Sequence, residues 1–407
     1  MDILNCVNQW IDPLTPALPD LADRHLKRLR HLEEDLAEVL TTLPTLAGGD
    51  RTERADRLLA VRIRLAERVR AAHDPADTGA GVTAVVQALT GFVCGFYDLD
   101  LRDAVGPGHG RMILRRGSDG VRHRWAMRLT GGDLVGIAAT ERHGGSRLQE
   151  ITTRAVLMPG GWWINGEKCW VSRLNEASAF VVFFKDPDSR ITAALVEADR
   201  PGLRREPATP AGLGGWAWGS LAFNDVPITA ADLLGGPGAG TAVFREHFAA
   251  FRPLVAATAL GTAAGVHTTV ADTLRARLAT GILPRLRDTA LVTLGRTHIE
   301  LNAALLAVLA AARLAASNQD EADLWSRSVK AHAVDTAHRV ASELPLLVGA
   351  SGFQADSRLA KARGDLGGLL YADGIHDSLL RSAGRILTSP AAAATPEHVQ
   401  DRPALAA

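Results

Sequence analysis

Two segments near the middle of the chain bring together small, hydroxyl-bearing and aromatic residues that suit a planar ligand carrying phosphates. Gly131–Ser146 reads GGDLVGIAATERHGGS, and Trp162–Ser172 reads WWINGEKCWVS. Glycine allows the backbone and its amide donors to approach a ligand closely. The indole of Trp170 can stack on a flat ring, and the hydroxyls of Thr140 and Ser172 can donate to it. These residue types predict a binding site for a phosphate-bearing heterocycle.

The composition is that of a large protein with balanced charge. The 407 residues are 47% hydrophobic, which is enough to bury a large core and favours more than one domain. Lys and Arg together number 45, as do Asp and Glu, so the formal net charge is zero. Without a basic excess, we expect no nucleic-acid partner.

The cysteines indicate a reducing, cytoplasmic location. Cys6, Cys94 and Cys169 form no CxxC motif and no pairing pattern. They predict neither a disulfide framework nor a cysteine-rich metal site, and we expect no metal.

Neither the N-terminus nor the apolar runs indicate targeting to or across a membrane. The start, MDILNCVNQWIDP, carries an acid early and lacks a basic region, which argues against a signal peptide. The longest purely apolar run in the Ala- and Leu-rich region, about Ala303–Ala312, is too short for a bilayer. It predicts a buried helix.

Composition divides the chain into three folded regions and a tail. Residues 1–130 are predicted to be helical, because leucines recur near the start at spacings of mostly three and four. Residues 131–233 carry short β-prone runs separated by turn residues, which predict a small, mostly antiparallel barrel or sandwich. Residues 234–390 are rich in Ala and Leu and predict a four-helix bundle, and residues 391–407 predict a disordered tail. The predicted fold class is α+β, with several domains.

The same patterns give approximate bounds for the elements. Helices are expected at 21–40, 53–72, 82–96, 109–116, 119–130, 241–275, 288–317, 321–343 and 374–386. Strands are expected at 154–157, 162–164, 179–184, 191–196 and 220–223. A break is expected at Pro75–Gly81, and Asn165-Gly166 between apolar runs predicts a hairpin turn.

The glycine- and tryptophan-containing segments resemble the flavin-facing β-domain of the acyl-CoA dehydrogenase family. That pattern runs as a Thr-Glu-Pro turn ending in Ala-Gly-Ser, then Asn-Gly-x-Lys-x-Trp-Ile-Thr/Ser. The order of helices, β-domain and helical bundle is also the family's, and the resemblance covers about residues 75–390. It implies FAD as the cofactor, α,β-dehydrogenation of an acyl thioester, and a homodimer or homotetramer.

The resemblance assigns roles in the β-domain. Thr140 would hydrogen-bond the flavin ring, Trp170 would lie against the flavin, and Ser172 would donate to it. Ser146 would lie near the FAD pyrophosphate or the substrate's pantetheine. The alternative is that Thr140 and Ser172 are ordinary strand residues and that Trp170 belongs to the core. Where the family has Pro and Asp, this chain has Arg142 and Arg147.

Further roles fall in the C-terminal region. Arg252, in FRPLVAATALG, would lie near the substrate's entry route, or would face solvent at a helix start. Arg277, in LRARLATG, would contact the FAD pyrophosphate of a neighbouring subunit, or would be one of several surface arginines. Gly349 and Gly352 stand where a glycine loop approaches the cofactor.

Counting along the later segment RGDLGGLLYADG implies a catalytic base. The family's Arg-Asp falls on Asp365 and its Glu-Gly on Asp373-Gly374, so Asp373 is the implied base and Gly374 contacts the substrate. A carboxylate poised over Cα can remove the proton that dehydrogenation requires. Asp is shorter than Glu by about 1.5 Å, which requires a shifted backbone, a different substrate or lower activity. The alternative is that Asp373 is a turn residue before glycine.

Three functions remain open at this point. The first is dehydrogenation of an acyl group on CoA or on a carrier protein, with electron-transfer flavoprotein or oxygen as acceptor. Ala249 and Arg147, which replace acids, favour the carrier protein, and the departures from the family's motifs favour a specialised biosynthetic pathway. The second is a flavin oxidase or monooxygenase on the same fold, since nitroalkane-oxidase relatives use Asp as the base. The third is a non-catalytic family member.

Overall fold

The N-terminal region is helical, as predicted. The structure is a computed structural model that describes residues 5–40, 51–71, 80–143, 147–317 and 321–389. Its first five helices are α1 (Asp23–Leu40), α2 (Arg51–Ala71), α3 (Ala80–Tyr97), α4 (Arg111–Arg116) and α5 (Asp119–Thr130). The leucine pattern of α1 is confirmed, because Leu26, Leu29 and Leu36 are buried. Ser146, most of the predicted break at Pro75–Gly81 and the predicted tail lie outside the described residues.

The middle region is a seven-stranded mixed sheet rather than a closed barrel. Its strands are β1 (Leu134–Ala138), β2 (Arg154–Met158), β3 (Gly161–Ser172), β4 (Ala177–Lys185), β5 (Ile191–Glu197), β6 (Leu203–Ala208) and β7 (Trp218–Ile228). The order is β1-β4-β2-β3-β7-β6, with β5 also paired to β4. Because β1 and β6 end the sheet without pairing to each other, the barrel prediction is wrong. Alternation of apolar residues shows which face of a sheet is buried, but it does not show whether the sheet closes into a barrel.

Side chains from both halves of the sheet meet in one apolar cluster. Phe180 and Phe184 of β4 pack with Ile164 of β3 and with Leu221 and Phe223 of β7. The opposite face of β1, β4 and β5 packs against α4 and α5. This packing fixes the orientation of β3, which carries Trp170 and Ser172.

Asn165-Gly166 forms a bulge and not a hairpin turn. Both residues lie inside β3, and the register against β7 shifts between Ile164 and Gly166. A Cβ on Gly166 would lie 2.7 Å from Thr153, and the Asn165 side chain exchanges hydrogen bonds with Asp225 across the bulge. The turn that joins β2 to β3 instead follows Met158, which pairs with Gly161.

The C-terminal region is a helical bundle that shares its core with α3. Three long helices, α6 (Gly240–Ala279), α7 (Asp288–Ala316) and α8 (Ala322–Glu343), are followed by two short ones, α9 (Arg358–Leu369) and α10 (His376–Leu387). The sequence patterns missed α9, β1 and β6. A single apolar cluster joins α3 to α6, α7 and α8, so the two helical regions share one core.

By length and composition alone, α3, α6 and α7 would each be able to cross a membrane. Most of the apolar stretch of α6 is buried in the protein, whereas only 39% of that of α7 is buried. The predicted burial of Ala303–Ala312 is therefore confirmed on one side of α7, at Leu305, Val308 and Leu309. The expected absence of a membrane span stays a prediction.

A buried cluster of charges joins all three regions. The Lys361 ammonium lies 2.6 Å from Asp98, 2.9 Å from Asp100 and 2.5 Å from Asp365, and Arg54 pairs with the first two. Asp365 also accepts a hydrogen bond from the backbone of Leu213, between β6 and β7. The three carboxylates are close enough to hold a metal ion, but the ammonium lies among them. Burial alone would lower the pKa of Lys361. The surrounding carboxylates have the larger effect, so the pKa of Lys361 is raised above its ordinary value.

Removing the cation should therefore destabilise the fold. Lys361→Met removes the cation paired with the buried Asp365 and leaves Asp98 and Asp100 to Arg54, and we expect the free energy of unfolding to fall by about 3–5 kcal/mol. Urea denaturation measures the loss. The matched control is Lys27→Met at an exposed position of α1, expected to change stability by less than about 0.5 kcal/mol. Equal midpoints for the two variants would contradict the role given to the cluster.

Candidate active site

One cleft contains most of the predicted site residues. It measures about 1950 Å³ and lies where α1, α3, α6, β1, β3 and the turn after α9 meet. Six predicted residues line it: Thr140, Trp170, Ser172, Arg252, Asp373 and Gly374. The fold therefore brings together residues that are more than 200 positions apart in the sequence.

Trp170 is an exposed platform on a bulge of β3. Its φ is 56°, and the register against β7 shifts between Lys168 and Val171. The residue is 61% exposed, so the alternative of a core tryptophan is wrong. The left-handed backbone turns a large flat ring into the cleft, where a planar ligand can stack on it.

A buried ion pair holds Thr140 beside Trp170. Glu141 accepts a hydrogen bond from the Lys168 ammonium at 2.8 Å and further bonds from the amides and hydroxyls of Thr152 and Thr153. Burial alone would raise the pKa of Glu141, but these donors lower it to about 2. The Cys169 amide donates to the Thr140 carbonyl. Thr140 and Trp170 are thus fixed as neighbours by the backbone.

Arg173 orients the hydroxyl of Ser172. It donates to Ser172 Oγ at 2.6 Å and to both oxygens of Asp103 at 2.6 and 2.5 Å. Because Arg173 occupies the acceptor side of this hydroxyl, the Ser172 proton is left to donate elsewhere. All three side chains are buried. Sequence reasoning missed Arg173 and Asp103, since nothing in the local pattern links residues 70 positions apart.

Two cations hold the turn that carries Asp373. Asp373 and Gly374 have φ values of 57° and 114°. The Asp373 carbonyl accepts from Arg252 Nε at 3.1 Å, and the Lys330 ammonium donates to the Leu369 and Gly374 carbonyls at 2.8 Å each. Asp373 is thus a turn residue and also a residue of the cleft wall.

Arg252 is buried within α6, with its guanidinium 4.8 Å from the Phe248 ring. The alternative of a solvent-facing arginine at a helix start is therefore wrong. Burial lowers the pKa of Arg252 to about 10, which leaves it charged at neutral pH. Its predicted contact with the substrate stays a prediction, whereas its hydrogen bond to the turn makes it a positioning residue for Asp373.

The remaining predicted residues form a separate group. Arg277 donates to the Val348 carbonyl at 3.0 Å and to Ser351 Oγ at 3.1 Å, within the loop that contains Gly349 and Gly352. Gly349 has a φ of 70°, and a Cβ on Gly352 would lie 2.5 Å from the Pro345 carbonyl oxygen. None of the three residues lines the cleft. This separation is compatible with the implied contact to a neighbouring subunit's cofactor, which stays a prediction.

A pair of buried histidines, which sequence reasoning missed, lies at the cleft wall. His109 Nδ1 is 3.0 Å from His247 Nε2, and Phe251 contacts both rings. Burial lowers the pKa of His247 to about 3, assisted by the charges of Arg111 and Arg252. Burial, with Arg173, His247 and Arg102, also holds the pKa of His109 well below its ordinary value. Both rings are therefore neutral near pH 7.

Comparison with known proteins identifies the class of protein that this fold and cleft define. Residues 136–226 match the middle domain of acyl-CoA dehydrogenases, and residues 238–387 match their C-terminal domain. Together these ranges are more than half of the chain. The chain belongs to the acyl-CoA dehydrogenase family, a family of FAD-dependent oxidoreductases.

Two curated relatives show the spread of similarity. Cyclohex-1-ene-1-carbonyl-CoA dehydrogenase of Geobacter metallireducens is 29% identical over 264 residues, covering 62% of this chain and 68% of that protein. L-prolyl-[peptidyl-carrier protein] dehydrogenase of a Serratia species is 30% identical over 140 residues. That alignment covers 33% of this chain and 36% of the relative.

Solved structures confirm the fold. Butyryl-CoA dehydrogenase of Megasphaera elsdenii superposes with a TM-score of 0.75 at 20% identity, covering 91% of this chain and 99% of that one. A prolyl acyl carrier protein oxidase gives a TM-score of 0.76 at 17% identity, covering 90% and 100%. At these identities the likeness is one of fold alone.

Because His109 and His247 are neutral in the folded protein, we expect the protein to lose stability in mild acid. A histidine that is neutral when folded takes up a proton on unfolding below its ordinary pKa of about 6.5. The free energy of unfolding should therefore be fully retained above about pH 6.5 and fall below it, by about 1.4 kcal/mol per histidine at about pH 5.5. Urea denaturation at several pH values measures the slope.

His247→Phe supplies the comparison for this pH dependence, because it removes one of the two titrating rings from the same packed site. Its free energy of unfolding is expected to decline less steeply with acid than that of the wild type. Parallel curves for the two proteins would show that the pair does not titrate on unfolding.

Proposed function

We propose that the cleft binds FAD and catalyses α,β-dehydrogenation of an acyl thioester, with Asp373 as the base. The observation that carries this proposal is the convergence of the Trp170 platform, the Ser172 hydroxyl and the Asp373 carboxylate on one cleft. A volume of about 1950 Å³ exceeds the 300–1,000 Å³ or so of a typical small-ligand site. It suits a large cofactor together with a substrate.

The residues present fit the flavin end of FAD. Trp170 offers a flat apolar face, Ser172 offers a hydroxyl proton, and Thr140 is fixed beside them. When bound, FAD supplies the acceptor for the hydride that leaves Cβ of the substrate. Thr140, Trp170 and Ser172 would hold and orient the ring system.

Asp373 would remove the proton from Cα. The carboxylate gains that proton as the Cα–H electron pair moves into the new double bond and hydride departs from Cβ. Arg252 and Lys330 fix the backbone on both sides of this residue. Such support matters, because a misplacement of about 1 Å can cost on the order of 10²-fold in rate. The left-handed turn at Asp373 is the feature that would aim the shorter aspartate side chain.

We further propose that the acyl group is presented on a carrier protein. Ala249 stands where the family often has an acid, and a relative is named for a prolyl group on a peptidyl carrier protein. Arg142 and Arg147 at the cleft edge are 70% and 64% exposed, and they form ion pairs with Glu167 and Glu150 respectively. These exposed ion pairs lie where a macromolecular carrier would approach, and they offer charged groups of both signs to its surface.

Replacing the base tests the central step. Asp373→Asn is expected to retain FAD but to slow anaerobic flavin reduction by about 10²–10⁴-fold, followed by stopped-flow absorbance with a panel of thioesters. Asp377→Asn, on the exposed side of α10, is the matched control and should reduce flavin at the wild-type rate. A wild-type rate for Asp373→Asn would remove Asp373 from the mechanism, and a colourless protein that binds no added FAD would indicate a non-catalytic member.

The carrier-protein proposal is tested by comparing the same acyl group as a carrier-protein thioester and as a CoA thioester. We expect kcat/KM for the carrier-protein thioester to exceed that for the CoA thioester by at least about tenfold, since the protein surface adds contacts that CoA lacks. Initial rates with an artificial electron acceptor give both values. A preference for CoA would reject the carrier while leaving the dehydrogenation intact.

An oxidase is the second candidate, because Asp occupies the base position and the fold is also that of a prolyl acyl carrier protein oxidase. Oxygen uptake separates the two reactions. Peroxide released in proportion to substrate consumed would favour the oxidase, and flavin bleaching without oxygen uptake would favour the dehydrogenase.

A further inference from the structure

We propose that His109 donates a hydrogen bond from Nε2 into the cleft that Asp373 also lines and thereby selects acyl groups that carry a hydrogen-bond-accepting oxygen. Hydroxyl, carbonyl and carboxylate groups share this chemistry. The proposal rests on the proposed function for the identity of the ligand, and it adds the acyl class that the site prefers.

The geometry directs one nitrogen of His109 to the cleft. His109 is only 3% exposed and lines the cleft. Its Nδ1 faces His247, which is not a lining residue and so lies behind it. Within the described part of the chain, Nε2 has no partner, and it is not among the polar atoms sealed from solvent. The free nitrogen is therefore the one that a ligand can reach.

The neighbouring histidine determines which nitrogen of His109 carries the proton. His247 Nδ1 is buried without a partner among the described residues. Buried N–H groups without an acceptor are rarer than buried acceptors without a donor, which places the His247 proton on Nε2. That proton is donated to His109 Nδ1, so neutral His109 carries its own proton on Nε2. The cleft thus receives a donor.

The surrounding charge favours an acceptor on the ligand. Asp103 is paired with Arg173 and lies 3.5 Å from Arg102, and Arg62 donates to its backbone carbonyl. Two arginines therefore lie at the Asp103 carboxylate and a third at its carbonyl, and the charges of Arg173 and Arg102 also act on His109. An oxygen with negative or partial negative charge would be stabilised at this point of the wall.

One segment of α6 contacts both His109 and the turn that carries Asp373. His109 contacts Phe251 with ring centroids 4.7 Å apart, and the next residue, Arg252, holds the carbonyl of Asp373. We therefore assign a group bonded to His109 to the acyl portion of the ligand. Phe248 and Phe251 are apolar residues of the cleft lining, so an alkyl chain would leave the His109 proton buried without a partner.

The test compares acyl thioesters of equal length that end in a methyl group, a hydroxyl group or a carboxylate. We expect the wild-type enzyme to prefer at least one oxygenated member over the methyl member by about tenfold or more in kcat/KM, because an unpaired buried donor is costly. His109→Phe should reduce that ratio at least about tenfold, and His109→Gln, which keeps an N–H donor, should restore part of it. His123→Phe, at an exposed position of α5, is the matched control and should leave the ratio unchanged.

A binding measurement separates this proposal from the proposed function. The corresponding thioethers cannot be dehydrogenated, and calorimetry gives their affinities for the FAD-loaded wild type and variants without turnover. If no thioester reduces the flavin but the oxygenated thioether binds more tightly through His109, the function fails and the inference stands. A ratio that is the same in wild type and His109→Phe, or no binding of any thioether, overturns it.

Discussion

Buried charges paired across the three regions of the chain form the constraint on which the cleft depends. Glu141 and Lys168 pair within the sheet region, Asp103 and Arg173 join the N-terminal helices to it, and the cluster around Lys361 joins all three regions. Each pair loses hydration on burial and is retained only because its partners and hydrogen bonds are in place. Such pairs add little net stability, but they penalise any arrangement in which the walls separate. The position of the cleft is therefore determined by electrostatic matching as much as by apolar packing.

Backbone strain is concentrated around the same cleft. Six described residues other than glycine have left-handed φ values, and four of them line it: Trp170, Arg173, Leu213 and Asp373. Each such residue costs on the order of 1–3 kcal/mol and persists only where its surroundings impose it. The ion pairs and the hydrogen bonds from Arg252 and Lys330 provide that support. Strain and buried charge are thus two parts of one arrangement that aims side chains into a common space.

Much of the fold was predictable, because long periodic helices and short β-prone runs carry local signals. The stripe in α1 and the strands around Phe180 and Phe184 are examples. The hairpin turn predicted at Asn165-Gly166 was wrong because a glycine with positive φ can occupy a β-bulge as readily as a turn. The candidate site was predictable only through its motif residues, such as Trp170 and Asp373. The partners that hold it were not, since Asp103 and Arg173, or His109 and His247, meet only through tertiary packing.

The left-handed backbone of Trp170 and Asp373 has a consequence for adaptation to heat. Glycine would relax both positions, and the exposed indole contributes little burial that its removal would sacrifice. Lineages selected for thermal endurance alone would therefore drift towards loss of the stacking platform and of the acid. Their joint replacement by glycine would relieve this strain and would remove both the indole and the carboxylate from the cleft.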